Sequence, residues 1–216
     1  VPGPDIRPYT VGVTVGATTA RPVTGASPGP TLLGPAAVLV PIKAFAEAKR
    51  RLEPALAHPE RLALVHQMAE RVVAAAAPLP VAVVCDDNEV ADWARRHGAL
   101  VIWEPGRGLN GAVEEGVARL ARMGVEQVTV AHGDLPRATG IGSIEAFSGV
   151  TLVPDRHGDG TNVIRLPAGC GFRFSYGPGS FSRHRAECVR LGLPARVVSA
   201  PGLTWDVDVA ADLEWP

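Results

Sequence analysis

Gln127-Val128-Thr129-Val130-Ala131-His132-Gly133-Asp134-Leu135-Pro136 joins a short β-branched run to a turn. Its first five residues have the make-up of a strand buried on both faces. The run stops where a glycine, an aspartate and a proline bend the chain. The spacing therefore predicts that Asp134 lies just past the carboxyl end of a strand.

Upstream of this stretch, short apolar runs alternate with helical periodicity. Val38-Leu39-Val40-Pro41-Ile42, Val81-Ala82-Val83-Val84-Cys85 and Leu100-Val101-Ile102-Trp103 read as strands. A helix is predicted to open near Pro59 with Leu62, Val65, Met68, Ala69 and Val72 on one face. A second is capped by Asp86 or Asp87 and ends at Gly98, and a third runs from Gly111 to Met123 and is closed by Gly124. Downstream the order is less regular. Val150-Thr151-Leu152-Val153, Asn162-Val163-Ile164-Arg165-Leu166 and Ala195-Arg196-Val197-Val198 read as strands, some pairing antiparallel, with a helix from about Ser182 to Leu191. Such alternation predicts a single α/β domain of three layers, with a mostly parallel, mixed sheet covered by helices on both faces. Ligands bind such sheets at the carboxyl ends of the strands, where Asp134 is expected.

With 216 residues, 46% of them hydrophobic, the chain has material for one substantial core. A net charge of -1 without any Lys/Arg block argues against nucleic acid or an anionic membrane as the main partner. The three cysteines, Cys85, Cys170 and Cys188, form no C-x-x-C pair, so neither a disulfide framework nor a thiolate zinc site is expected. No apolar run approaches the length of a membrane span and no secretory signal is legible, which leads to a cytoplasmic expectation. Residues 1–35, rich in Gly, Pro, Thr and Ala without periodicity, read as a disordered extension before a domain over residues 36–216.

The chain has no G-x-x-x-x-G-K-[ST] motif, and Gly158-Asp159-Gly160 and Gly169-Cys170-Gly171 lack the third glycine and the strand-to-helix setting of a dinucleotide site. Asp155 to Gly160 resembles the start of a calcium loop, but Leu166 stands where the bidentate Glu is required. Gly133-Asp134-Leu135-Pro136 carries more. Seen alone it is an ordinary Asp turn before proline, yet a carboxylate there can hold Mg²⁺ against phosphate oxygens. Trp205-Asp206-Val207-Asp208 offers a second acidic group, so that Asp208 or Asp206 is expected to supply a further ligand from another strand end; helix capping is the alternative. Gly158-Asp159-Gly160-Thr161-Asn162 and Tyr176-Gly177-Pro178-Gly179-Ser180-Phe181-Ser182-Arg183-His184-Arg185 read as two glycine-rich sites where amides and hydroxyls meet an anion, or as a hairpin turn and a helix cap. Lys43, Lys49, Arg50 and Arg51 can meet a triphosphate or stand solvated, and Gly106 to Gly111 can line a base or ribose pocket or lead into a helix.

Taken in order, these segments resemble the guanylyltransferases of deazaflavin coenzyme F-420 biosynthesis, relatives of the molybdenum cofactor nucleotidyltransferases. The likeness rests on Val40-Pro41-Ile42-Lys43, Ala48-Lys49, Arg51-Leu52, Leu109-Asn110, Gly133-Asp134-Leu135-Pro136, Pro154 to Asn162, Gly177 to His184, and Asp206-Val207-Asp208 with Asp212-Leu213. It spans Val38 to Leu213 and implies a fold of the nucleotide-diphospho-sugar transferase type. It implies condensation of GTP with a three-carbon phosphoacid, phosphoenolpyruvate or 2-phospho-L-lactate, to a guanosine diphosphate-linked product and pyrophosphate. Phosphoenolpyruvate is preferred because the Ala- and Arg-rich composition suits a high-GC bacterium.

By the same resemblance Asp134 and Lys49 are catalytic, Asp134 and Asp208 hold Mg²⁺ (or Mn²⁺), and Lys43, Lys49, Arg51, Gly108 and Asn110 bind the nucleotide. Thr161, Gly177 and Ser180 hold the acceptor. The implied partners are GTP and the phosphoacid, with a homodimer admitted and no nucleic acid or membrane. Val209-Ala210 departs from the Thr-Pro often found after the second acidic motif. A non-catalytic nucleotide-binding domain is the more distant alternative; the retained pair Asp134 and Asp208 argues against it.

Overall fold

The computed structural model describes residues 33–214. The expected extension over residues 1–35 therefore lies outside the described residues, except for Leu33, Gly34 and Pro35. In chain order the elements are β1 (Ala36–Pro41), α1 (His58–Ala75), β2 (Val81–Cys85), α2 (Asn88–Arg96), β3 (Leu100–Trp103), α3 (Gly108–Arg122) and β4 (Gln127–Ala131). There follow β5 (Val150–Pro154), β6 (Thr161–Pro167), α4 (Ser180–Arg190), β7 (Ala195–Val197) and the single turn α5 (Pro201–Thr204).

The strands form one sheet in the order β3-β2-β1-β4-β6-β5-β7. β1 pairs in parallel with both β2 and β4, β2 with β3, and β5 with β7, while β6 runs antiparallel between β4 and β5. The strand order reverses at β1, so a crevice opens between the carboxyl ends of β1 and β4, the place where open α/β sheets bind ligands.

Side-chain alternation along β1 explains the layers. Val38 and Val40 face the core formed with α1 and α2, whereas Ala37 and Leu39 face the core formed with α3 and α4. Val38, Leu39 and Val40 are fully buried, each contributing roughly 1.5–3 kcal/mol of apolar burial. α3 lies close against this strand, because a Cβ added at Gly116 would stand 2.8 Å from Leu39 Cδ2.

The predicted elements are present, with shifts at their ends. α3 starts at Gly108, three residues before the expected Gly111, so Gly108 and Asn110 belong to a first helical turn instead of a loop. α4 starts at Ser180, because Gly179 takes φ 72° and turns the chain into the helix. Asp206 and Asp208 do not leave a strand: they follow α5 in an extended segment that leads to a 3₁₀ turn over Ala210–Leu213. α2 is capped by Asp87, whose Oδ1 accepts from Val90 N at 3.0 Å.

Candidate active site

At the crevice between β1 and β4 lies a cavity of about 640 Å³. Lys43, Lys49, Arg51, Gly108, Asp134 and Asp208 all line it. At its acidic end Lys49 Nζ donates to Asp134 Oδ2 at 2.5 Å and to Asp208 Oδ1 at 2.7 Å. The Lys49 side chain is 11% exposed. Burial favours its neutral form, but the carboxylates of Asp134 and Asp208 override that and raise its pKa above the ordinary lysine value. Burial likewise works to raise the Asp134 pKa, and the Lys49 ammonium outweighs it and holds the carboxyl below its usual range. The second oxygen of Asp134, Oδ1, is buried with no hydrogen-bond partner among the described residues.

Lys49 is delivered to this place by unusual backbone. It sits between two short 3₁₀ turns, Phe45–Glu47 and Arg50–Leu52, with φ 56° and ψ 35°, the left-handed region that a non-glycine residue rarely adopts. Such a conformation costs about 1–3 kcal/mol and persists only where its surroundings enforce it. Arg61 on α1 enforces it. Its guanidinium, 2% exposed as a residue, donates to the carbonyls of Ala46 at 3.1 Å and Ala48 at 2.5 Å and also meets His58 Nδ1 at 2.8 Å. Sequence reasoning missed Arg61, although a signal was present. Arg61 is four residues before Val65 and so falls on the buried stripe of α1, where the half-buried Leu62 was expected.

The segment carrying Asp208 is fixed by Asp212. One Asp212 oxygen accepts from the amides of Asp208 at 2.6 Å and Val209 at 2.8 Å, and the other pairs with Arg156. Arg156 also donates to the Asp206 carbonyl at 3.1 Å and lies over the Trp205 ring at 4.3 Å. Asp206 is pushed up to about 6 by burial and by the nearby charges of Asp134 and Asp208.

The two glycine-rich segments are built differently from the expectation. The amides of Asp159 and Gly160, read as donors for an external anion, point together with that of His157 at the carboxylate of Asp155, at 2.8–3.0 Å. At the start of α4, the Gly179 amide donates to Asp159 Oδ2 at 2.8 Å and the Phe181 amide to the Asp159 carbonyl at 2.9 Å. Arg183 folds back onto the carbonyls of Ser175 and Pro178. The Gly179 and Phe181 amides therefore clip the two loops together through Asp159, while Asp155 and Arg183 each close their own loop on itself.

Thr161 and Ser180 are buried, and Thr161 Oγ1 lies 3.0 Å from His184 Nδ1. Gly177 takes φ 109°. None of Asn110, Thr161, Gly177 and Ser180 lines the cavity; Asn110 Oδ1 instead accepts from Tyr176 N at 2.7 Å, tying α3 to the loop before α4. Thr161 nevertheless lies at the same sheet edge as Asp134. His132 N donates to the Asn162 carbonyl at 3.0 Å, which extends the antiparallel β4–β6 ladder to the start of β6.

Chemically, the acidic end suits a hard divalent cation: it offers the carboxylate oxygens of Asp134 and Asp208, one of them buried and without a partner among the described residues, as is the neighbouring His132 Nε2. No group of three or more His, Cys, Asp or Glu side chains among the described residues is placed to hold an ion unaided. Two carboxylates suffice for Mg²⁺ when substrate phosphates complete its shell.

The chain matches the family described as "Guanylyl transferase CofC like" over residues 36–215. The phosphoenolpyruvate guanylyltransferase of Sphaerobacter thermophilus is 36% identical over 186 residues, covering 82% of this chain and 89% of the relative. That of Rubrobacter xylanophilus is 34% identical over 184 residues, covering 81% and 90%. Among solved structures, a protein from Desulfovibrio desulfuricans provisionally named a nucleotide-diphospho-sugar transferase aligns with a TM-score of 0.67 at 14% identity, over 82% of this chain and 84% of the other. A cytidylyltransferase from Leptospira borgpetersenii aligns with a TM-score of 0.54 at 9% identity, over 83% and 84%. At these identities the structural likeness concerns the fold, which is that of the nucleotide-diphospho-sugar transferases.

Proposed function

Because this chain belongs to the CofC-like guanylyl transferase family, we propose that it condenses GTP with phosphoenolpyruvate to give enolpyruvoyl-2-diphospho-5'-guanosine and pyrophosphate. The observation that carries the reading is the Lys49 ammonium held between Asp134 and Asp208 in a cavity at the sheet's switch point. Relatives that share a third of its residues over most of its length bear the name phosphoenolpyruvate guanylyltransferase.

In this reaction an oxygen of the acceptor phosphate attacks the α-phosphorus of GTP. The bond from that phosphorus to the bridging oxygen breaks, and pyrophosphate leaves with the electron pair. A phosphate monoester has its second pKa near ~6 and is already anionic at neutral pH, so no general base is required. The chain's work is alignment and charge neutralisation. A Mg²⁺ held by Asp134 and Asp208 would neutralise charge on the phosphate oxygens and hold them in place. Binding of the triphosphate gives Lys49 a new anionic partner, and Lys43 and Arg51, on the wall of the same cavity, add positive charge along the phosphates. Gly108, at the first turn of α3, borders the nucleotide. Asn110 serves by bracing the 172–179 loop, and Thr161, Gly177 and Ser180 receive the acceptor at the neighbouring end of β6.

Free thiols at Cys85, Cys170 and Cys188 accord with a cytoplasmic enzyme. The test is pyrophosphate release from purified protein with Mg²⁺, each of the four nucleoside triphosphates, and phosphoenolpyruvate or 2-phospho-L-lactate. Release is expected with GTP and phosphoenolpyruvate. Release with 2-phospho-L-lactate alone would move the acceptor assignment, and release with no pair would remove the reading.

A further inference from the structure

His184 is fully buried on α4, and its two ring nitrogens have different partners. Nε2 lies 3.0 Å from the Ser175 amide nitrogen, and Nδ1 lies 3.0 Å from Thr161 Oγ1. A peptide N–H can only donate, so Nε2 must present its lone pair. A neutral imidazole with a lone pair on Nε2 carries its proton on Nδ1. That proton points at Thr161 Oγ1, which accepts it.

The rings around His184 protect this state. Tyr176 lies edge-on at 5.0 Å, Phe172 at 5.7 Å and Phe174 edge-on at 6.3 Å between ring centroids. In such surroundings a second proton on the imidazole has no solvent to stabilise it, and it would place an N–H against the Ser175 N–H. Burial foremost, then the charge of Arg183, lowers the His184 pKa to about 4.

A hydroxyl has one proton and two lone pairs, so an accepted hydrogen bond leaves its own proton to be donated elsewhere. We propose that His184 is a positioning residue for the acceptor: as the Nδ1–H tautomer it donates to Thr161 Oγ1 and so commits the Thr161 hydroxyl to donate its proton to an anionic oxygen of the bound phosphoacid. The proposal rests on the reading of Thr161 as an acceptor contact. Without His184 the hydroxyl is free to rotate and to accept, which an anion cannot use. The arrangement selects for an unprotonated oxygen at that place in the acceptor.

Two measurements test it. Long-range ¹H–¹⁵N correlation spectra of the wild-type protein at neutral pH read the tautomer of His184 directly, whatever the protein's activity. Protonation at Nδ1 alone is expected; protonation at Nε2 overturns the proposal.

The second measurement is steady-state kinetics with GTP and phosphoenolpyruvate. In His184→Gln the side-chain tip can still meet the Ser175 amide but the donor to Thr161 is lost; in His184→Asn an amide N–H replaces the Nδ1 donor. His184→Gln is expected to raise the acceptor KM about tenfold with the GTP KM unchanged, and His184→Asn to recover most of that loss. Combining His184→Gln with Thr161→Val should be no worse than Thr161→Val alone, because both act through one hydroxyl. Multiplying effects, or equal changes in both KM values, would overturn the proposal. If one variant does not fold, the other and the tautomer still decide. A wild-type protein that releases no pyrophosphate from any acceptor contradicts the functional reading, a result separate from the tautomer.

Discussion

The Nζ of Lys49 lies 2.5 Å from Oδ2 of Asp134 and reaches Asp208 on its other side, so one ammonium separates two carboxylates from different loops. The same oxygens are those proposed to hold Mg²⁺, and lysine and metal therefore compete for them until a triphosphate draws the lysine away. Lys49→Met removes that competitor. Mg²⁺ without nucleotide should then raise the melting temperature by several degrees more than in the wild type, since about 1 kcal/mol shifts a domain of this size by roughly 2–4 °C. Turnover should fall about a hundredfold. Equal stabilisation of both proteins by Mg²⁺ would show that Lys49 does not occupy the metal's place.

Arg61 holds the backbone that presents Lys49. Arg61→Met keeps most of the side-chain volume but leaves the carbonyls of Ala46 and Ala48 without their donor. Urea unfolding should show a loss of about 3 kcal/mol. Kinetics of the folded fraction should show a raised GTP KM and an unchanged acceptor KM. A change confined to stability would make Arg61 a core residue only.

The burial of neutral His184 makes stability depend on pH. Its folded pKa, about 4, lies below the ordinary 6.5, so between those values the unfolded chain binds a proton that the folded chain does not. Stability from this group is complete above 6.5 and is lost as pH falls towards 4. Between pH 7 and pH 5 the loss should be about 2 kcal/mol, and His184→Gln should lack that part of the slope in urea titrations at the two pH values. An unchanged slope in the variant would contradict the neutral, buried imidazole.

Gly116 marks the closest approach of α3 to β1. Gly116→Ala places a methyl 2.8 Å from Leu39 Cδ2 and 3.2 Å from its Cδ1, so that the fully buried Leu39 side chain must shift against its neighbours. The gain in helix propensity is outweighed by overpacking, and the melting temperature should drop by about 5 °C. A rise would mean that Leu39 can rotate away at little cost.

Much of the frame was legible in the sequence because strands buried on both faces must be continuously apolar. Val38 to Val40 and Val81 to Cys85 meet that requirement, and Gln127 to Ala131 comes close to it with the β-branched Thr129 among its apolar residues, so the Gly133–Pro136 turn then had to lie at a carboxyl edge. The approach to Asp208 was misread because the apolar residues before it, Leu203 and Trp205, pack as a helical turn and a loop, and five residues do not carry enough periodicity to tell these from a strand. The partners of several amides in the glycine-rich segments were not legible for another reason. Glycine-rich turns expose amides, but Asp159, within the first of them, and Asp155, three residues before it, reach several of those amides first. Arg61 shows the opposite case, a charge on a buried helix stripe whose partners, Ala46 and Ala48, are backbone carbonyls that no side-chain pattern reveals.

The central claim is that Asp134 holds the catalytic metal for guanylyl transfer, and pyrophosphate release by Asp134→Asn tests it most directly. Asparagine keeps the shape of the side chain and removes its charge. With saturating Mg²⁺, GTP and phosphoenolpyruvate, and with a wild-type circular dichroism spectrum, the variant is expected to retain about 1% of wild-type release or less. Release within about threefold of wild type would contradict the account, because a carboxylate that binds the metal in the transition state cannot be neutralised at so small a cost.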